Sequence, residues 1–192
     1  MAERLVVFDA NVYIRAAQQY MKTGWPSAWN QGPASLNQAC LAAIAAVCEV
    51  CGPSLTVSDT FIYGSSSLED VIVRKLTQPL SATRSEDTGL GWSEADLVVA
   101  LDPLLQAVAD TQRLHWFDPS PRAEALQGAD YEDSCVWALF LKAMGARPTC
   151  DPILVTNDRS FASVVNLEAV KATGNLLFVA QSAADFVLYL QT

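Results

Sequence analysis

The chain has 192 residues, of which 51% are hydrophobic and 17% are charged, and its net charge is −9. This composition excludes a disordered chain. Because no apolar run reaches the roughly 18 residues of a membrane span and residues 1–14 lack the pattern of a signal peptide, we expect a cytoplasmic protein that does not enter a membrane. The acidic balance argues against a broad basic surface for nucleic acid, but it is compatible with acids gathered in a metal site.

Apolar runs alternate with segments of helical periodicity in the first half of the chain. In chain order we predict a strand (4–8), a helix (12–22), a Gly/Pro/Ser loop (24–35), an Ala-rich helix (36–51), a strand (54–58), a helix (67–76) and a polar loop (79–91). The sequence Cys51-Gly52-Pro53 is a helix stop, and Ser66 or Ser67 is the expected cap of the helix that follows the second strand.

The alternation continues in the second half. In chain order we predict a helix (93–111), a strand (114–117), a loop (118–129), an apolar helix (130–145), a strand (151–158), a helix beginning at 159, a strand (175–181) and a closing helix (182–191). Ser93 and Asp96 resemble a capping box, Pro103 should kink or split its helix, and Ser182 is the expected last cap. Alternating strands and helices predict an α/β protein, in which a central, mostly parallel sheet carries helices on both faces.

The five cysteines raise the question of redox or zinc chemistry. Cys48 and Cys51 form a C-x-x-C pair, but together with Cys40 they recur at helical spacing in an apolar segment. Free cysteines are commonly buried, and the chain has a single histidine, His115, far from the pair. The pattern therefore favours core positions for these thiols over a Cys/His zinc site or a redox pair.

Acidic residues follow two predicted strands and open one predicted helix. Asp9 and Asp158 each come at a strand end, and Asp130 and Asp133 begin the apolar helix. Asp130, Asp133 and Asp158 each have a simpler explanation, since acids often cap helices and stabilise their dipoles. In an open α/β sheet, however, ligands bind at the carboxyl ends of strands, and carboxylates gathered there repel one another unless a divalent cation is present. Carboxylates and water suit Mg²⁺ or Mn²⁺.

Four motifs, taken in order, resemble those of the PIN-domain nucleases. They are VVFDANVYI near the start, DYEDSCVWALFLKA late in the chain, then ILVTNDRSF and finally NLLFVAQSAADFVLYL. Within that family the chain looks most like the VapC-like ribonuclease toxins of toxin–antitoxin pairs. The resemblance implies one PIN-like domain over 1–192, a three-layer α/β/α sandwich, with insertions around 15–53 and 77–128.

The resemblance also implies roles for individual residues. The implied catalytic residues are Asp9, Glu69, Asp133 and Asp158. The implied metal ligands are Asp9, Asp130, Asp133 and Asp158, with Asn11 and Thr156 in support. The assignment of the second acid to Glu69 has two rivals, Asp70 and Asp59, because the expected spacing from the strand at 54–58 falls near Gly64.

The implied activity is hydrolysis of RNA phosphodiesters with Mg²⁺ or Mn²⁺, and the implied partner is an antitoxin protein. Whether the chain forms a homodimer is left open. Basic residues near the expected site could guide a phosphate backbone: Arg15, Arg74, Lys75 and Arg159.

Two alternatives remain at this stage. The start FDANV is similar to the opening of haloacid-dehalogenase-type phosphatases, which are metal-dependent phosphohydrolases, but Asn11 stands where their second aspartate is expected. A PIN-like interaction module without catalysis is the other alternative, and the unsettled second acid keeps it open.

Overall fold

The computed structural model describes residues 3–51, 60–79, 89–118, 131–158, 161 and 179–190. Within these residues the strands are β1 (Arg4–Phe8), β2 (Thr60–Gly64), β3 (Leu114–Trp116), β4 (Asp151–Val155) and β5 (Val179–Gln181). The helices are α1 (Ala10–Thr23), α2 (Leu36–Val50), α3 (Ser66–Thr77), α4 (Glu94–Ala100), α5 (Asp102–Asp110), α6 (Tyr131–Ala146) and α7 (Ala183–Leu190). None of the described helices is both long enough and apolar enough to cross a membrane.

The central strand of the sheet is β1. The strand order is β3-β2-β1-β4-β5, and all four pairs of neighbouring strands are parallel. The chain winds outward from β1 to β3 on one side, then crosses over to β4 and continues to β5 on the other. The direction of winding therefore switches between β1 and β4. In sheets of this kind, ligands bind in the crevice beyond the carboxyl ends of the two strands at the switch.

Helices cover both faces of the sheet, which confirms the predicted three-layer α/β/α architecture. Residues 5–8 of β1 are fully buried although successive side chains point to opposite faces. Phe8 packs edge-on against Tyr13 of α1 and Phe186 of α7, with ring centroids 5.8 and 5.9 Å away. These two helices therefore lie on the face to which Phe8 points.

The opposite face is covered by α6, which packs on β1 and β2. Arg147 follows α6 directly and donates a hydrogen bond to the hydroxyl of Tyr63. Tyr63 is the register partner of Val7, so both side chains point to the α6 face. Leu5, Val7 and the following Asp9 share this face, because strand side chains alternate with a period of two.

The position of the second strand differs from the prediction. The strand paired with β1 is β2 at Thr60–Gly64, whereas the predicted segment 54–58 lies outside the described residues. TFIYG lacks the apolar/polar alternation of an exposed strand because β2 lies between two strands and under helices, where a continuous apolar and aromatic run is favoured. The cap of α3 moves accordingly: Ser65, not Ser66 or Ser67, accepts from the backbone N–H of Leu68 at 3.1 Å.

Several local predictions are confirmed. The segment 93–111 splits into α4 and α5 at Leu101, next to Pro103, and Ser93 forms a capping box with Asp96. Ser182 caps α7 by accepting from the backbone N–H of Asp185. Helices from both predicted insertions, α2 and α5, contribute side chains to the same hydrophobic core as the sheet. All five cysteines are free, and four are buried: Cys40, Cys51, Cys135 and Cys150.

Candidate active site at the carboxyl edge of the sheet

Asp9 lies at the point where β1 ends and α1 begins. Its backbone N–H continues the pairing with β4 by donating to the carbonyl of Val155 at 3.0 Å. Its side chain is the N-cap of α1, and Oδ1 accepts from the backbone N–H of Asn11 at 3.3 Å. Asp9 is therefore a helix cap. However, only 1% of Asp9 is exposed, and a helix cap does not require such burial.

Thr156 connects Asp9 to Asp158. Its hydroxyl donates to Oδ2 of Asp9 at 2.7 Å and accepts from the backbone N–H of Asp158 at 3.0 Å. Thr156 is itself buried, so this bridge is shielded from water. The structure thus brings together four of the predicted site residues at the crevice between β1 and β4: Asp9, Asn11, Thr156 and Asp158.

The middle residue of the T-N-D turn anchors the turn to two helices. Asn157 donates from Nδ2 to Cys40 Sγ of α2 at 3.5 Å, and its Oδ1 accepts from the backbone N–H of Ala183 at the start of α7 at 3.4 Å. Burial raises the pKa of Cys40 to about 11, so this thiol stays protonated near neutral pH. Cys40 therefore contributes packing here and is unsuited to the roles of thiolate ligand or nucleophile.

The electrostatics of Asp9 are unfavourable to its charged form. Burial raises the pKa of Asp9, the hydrogen bonds from Thr156 and Asn11 lower it, and the nearby Asp158 carboxylate raises it again. In the described part of the chain, no lysine, arginine or histidine forms an ion pair with Asp9. A buried carboxylate beside a second acid is costly without a cation.

Asp133 lies in the first turn of α6 and is half-buried. The helix packs across β1 and β2 and ends shortly before β4 begins, so its first turn lies towards the carboxyl edge of the sheet. Its neighbour Glu132 forms ion pairs with Arg74 at 2.7 Å and Lys75 at 3.0 Å of α3. The sequence pattern had indicated no role for Glu132. Arg74 and Lys75, which we expected could guide a phosphate backbone, join α3 to α6 through Glu132.

Glu69, the favoured second acid, lies in the first turn of α3 just beyond β2. It is half-buried and lines a cavity of about 370 Å³ whose walls are otherwise largely apolar. The other lining residues include Tyr13, Ser65, Leu68, Ile72, Leu105 and Val108. Asp70 is exposed, and Asp59 lies outside the described residues. Because Glu69 lies in the first turn of α3, its negative charge also stabilises the helix dipole.

Within the described residues, no three acidic, histidine or cysteine side chains converge as ligands for one cation. Asp130, one of the predicted ligands, lies outside that part of the chain. No family model, curated protein or solved structure matches this chain. The resemblance to PIN-domain nucleases therefore depends on the motifs and their order.

The Asp9–Asp158 pair fits a hard divalent cation. Mg²⁺ is typically bound by one or two carboxylates, retained waters and substrate phosphates, so it does not need a complete protein cage. Asp9 is buried and oriented by two hydrogen bonds, whereas Asp158 is exposed to solvent. The oxygen-only donor set also favours Mg²⁺ or Mn²⁺ over zinc.

Proposed function

We propose that this protein is a divalent-metal-dependent ribonuclease of the PIN-domain type and the toxin of a toxin–antitoxin pair. The observation that carries the proposal is the environment of Asp9. Its carboxylate is buried at the switch between β1 and β4, hydrogen-bonded to Thr156, close to Asp158 and without a basic partner among the described residues. Such an arrangement is stabilised when a cation binds.

In this proposal Asp9 and Asp158 hold Mg²⁺ or Mn²⁺, and Asp133 and Glu69 complete the acidic site at the same edge. Asp130 is a further proposed ligand. Thr156 orients the carboxylate of Asp9, and Asn11 supports it through its backbone N–H. When bound, the cation would lower the pKa of an attacking water and stabilise charge on the scissile phosphate. Because hydrolysis uses water, no nucleophilic side chain is required.

The partners follow from the same proposal. The substrate is RNA, and the inhibitor is an antitoxin protein that covers the acidic edge with a basic side chain. The site of action is the cytoplasm, and association into a homodimer is left open. The net charge of −9 is consistent with a local substrate contact instead of a long basic groove.

One observation favours a second function. Asp9 and Asp158 are joined through Thr156, while Glu69 lines a cavity beyond β2. A chain that kept the PIN-like fold and two acids, but not the complete ligand set, would be an interaction module. Such a module would bind a cation weakly and would not cleave RNA.

The decisive experiment is RNA cleavage by purified protein, freed of any bound partner, with Mg²⁺ or Mn²⁺ and with EDTA. Asp9→Asn is compared with Asp151→Asn, since Asp151 begins β4 at the opposite edge of the sheet and only its backbone makes a described hydrogen bond. We expect metal-dependent cleavage by the wild type and by Asp151→Asn. Asp9→Asn should be slower by at least about 100-fold, because charge stabilisation by a metal contributes several kcal/mol.

Two results would contradict the ribonuclease proposal. Equal activity of Asp9→Asn and wild type would assign the cleavage to a contaminant. Absence of cleavage of a mixed RNA pool by folded protein, in either metal, would leave the interaction module as the better explanation if calorimetry still detects metal binding.

A further inference from the structure

A second cluster of functional groups lies on the α6 face, at β2 and the edge strand β3. Four rings form a row there, in the order Phe61, His115, Tyr63 and Phe117, with consecutive centroids 5.5, 5.3 and 5.3 Å apart. We call this cluster the ring row. Tyr63 is buried, while the other three rings are half-buried and reachable from solvent.

Cationic side chains lie at both ends of the ring row. The guanidinium carbons of Arg147 and Arg113 are 3.4 and 5.9 Å from the centroid of Phe61. At the other end, Nζ of Lys142 is 6.0 Å from the centroid of Phe117. Contacts of this kind hold cations against ring faces and leave their N–H groups at the ring edges.

The guanidinium of Arg147 is the most restrained of the three cations. It stacks on Phe61, and its Nε donates to the hydroxyl of Tyr63 at 2.8 Å. Arg147 also forms a side-chain hydrogen bond with Cys150. These contacts hold the guanidinium at Nε, at one face and at Cys150, and its remaining N–H groups keep their fixed geometry for another acceptor. A fork held in this way loses little entropy when it binds an oxyanion.

The positive charge at the ring row is not balanced by described acids. No ion pair joins Arg113, Lys142 or Arg147 to a carboxylate in the described residues, whereas Arg74 and Lys75 both pair with Glu132. Among the described residues the carboxylate of Glu3 approaches this region, and its Oε2 lies 3.4 Å from Cys150 Sγ. In a chain of net charge −9, unpaired bases placed side by side indicate a site for an anion.

We propose that Arg113, His115 and Arg147 form a binding site for a phosphate group, carried either by a polynucleotide backbone or by a free phosphate compound. A free phosphate monoester carries a charge of about −1.5 to −2 and three acceptor oxygens, and a backbone phosphodiester carries a single negative charge. Both present several oxygens to two guanidinium groups and an imidazole, and the monoester matches their charge more fully. This site is separate from the acidic edge, and it does not depend on the proposed ribonuclease activity.

The single histidine of the chain provides a direct reporter. Burial, then Arg147 and Arg113, lower the pKa of His115, whose ring also stacks on Tyr63. A bound phosphate offsets the charge of both arginines and should raise that pKa. We would measure the His115 ring protons by NMR against pH, in Asp9→Asn protein with EDTA, so that neither metal binding nor RNA cleavage interferes. Sodium phosphate is compared with sodium chloride and sodium acetate at equal ionic strength.

Matched variants distinguish a specific phosphate site from general screening of charge by salt. Arg147→Met keeps an apolar side chain on Phe61 and removes the fork, and Arg113→Met provides a second test at a side chain that makes no described hydrogen bond. The control is Arg4→Met, because Arg4 also lies over a ring, that of Tyr189, at 5.0 Å. We expect Arg147→Met to weaken the phosphate effect about tenfold, Arg113→Met to weaken it less, and Arg4→Met to leave it unchanged.

Lys142 distinguishes the two sources of phosphate, because it lies at the far end of the ring row. If the ligand is a polynucleotide, Lys142→Met should weaken binding of a short single-stranded RNA but leave the effect of inorganic phosphate intact. If the ligand is a free phosphate compound, Lys142→Met should alter neither the binding of the RNA nor the effect of inorganic phosphate. The proposal fails if phosphate moves the pKa of His115 no more than chloride or acetate does, or if Arg4→Met and Arg147→Met behave alike.

Discussion

Asp9 and Arg147 lie on the same face of the sheet, towards its opposite ends, and each lacks a partner of opposite charge among the described residues. They differ in their access to water. Asp9 is 1% exposed and held by hydrogen bonds from within the protein, whereas Arg147 is half-buried and held by rings. A buried charge needs a ligand for stability, while a partly exposed one is stable without a ligand and remains ready to bind.

The contrast also shows how an acidic chain can present a local positive surface. The net charge of −9 is an average over the chain, and the bases at the ring row are concentrated by tertiary contacts at one outer part of the sheet. A phosphate-bearing ligand would meet positive charge at the ring row and a metal at the acidic edge. We therefore expect metal to bind at the acidic edge and not at the ring row, and phosphate to bind at the ring row and not at the acidic edge.

The largest effect should come from removing the charge of Asp9. Without metal, Asp9→Asn should raise the free energy of unfolding by about 1 kcal/mol, since asparagine caps a helix as well as aspartate and no longer carries a buried charge beside Asp158. With metal at 100 times its Kd, the wild type should gain about 2.7 kcal/mol and the variant nothing. Urea unfolding with EDTA or Mn²⁺ measures both, with Asp151→Asn as the control. A wild type that gains no stability from either metal would contradict the metal site.

A smaller effect should follow from breaking the bridge between Asp9 and Asp158. Thr156→Val keeps the shape of the side chain and removes the hydroxyl, which leaves the backbone N–H of Asp158 and Oδ2 of Asp9 without this partner. We expect a loss of about 1–3 kcal/mol in the free energy of unfolding and a metal affinity about 10–100-fold weaker.

Thr156→Ser is the matched control for that change, because serine retains the hydroxyl and should lose far less. Unfolding and metal titration are measured on both variants. If the valine and serine variants proved equally stable and bound metal equally well, the hydroxyl bridge would have no part in the site.

The smallest effect concerns the pH dependence of stability at the ring row. The pKa of His115 lies below its ordinary value of 6.5 in the folded chain because of burial and the charges of Arg147 and Arg113. The unfolded chain therefore takes up this proton first as the pH falls below 6.5, and wild type should lose stability there. His115→Gln should lack that component, and phosphate should reduce it in the wild type. Thermal unfolding of both proteins between pH 7 and pH 5 measures this component. If the stability of the two proteins fell in parallel over that range, the prediction would be wrong.

Much of the acidic edge could be predicted because its signals are local. Asp9 directly follows an apolar strand, and Thr156 and Asp158 follow another, so the strand ends and the acids are adjacent in sequence. The split of residues 93–111 at Pro103 was likewise a local effect of proline on the helix. Glu132 was missed because its partners, Arg74 and Lys75, lie on a different helix.

The ring row could not be predicted. It combines Phe61 and Tyr63 from β2 with His115 and Phe117 from β3 and the residue after it, and Arg147, which stacks on it, comes from beyond α6. The sequence pattern had placed the second strand at 54–58. Even with β2 assigned correctly, the alternation of Phe61 and Tyr63 shows only that they share a face. Their neighbours depend on which strand lies beside β2.

The sequence by itself determined the alternation of strands and helices, apart from the position of β2, and it determined that acids stand at strand ends, because periodicity, caps and proline act over a few residues. The tertiary structure decided the strand order, and with it the meeting of Asp9 with Asp158 and of Phe61 with Arg147. Strand order is set by the burial of both faces of the sheet at once, and that condition involves residues from the whole chain.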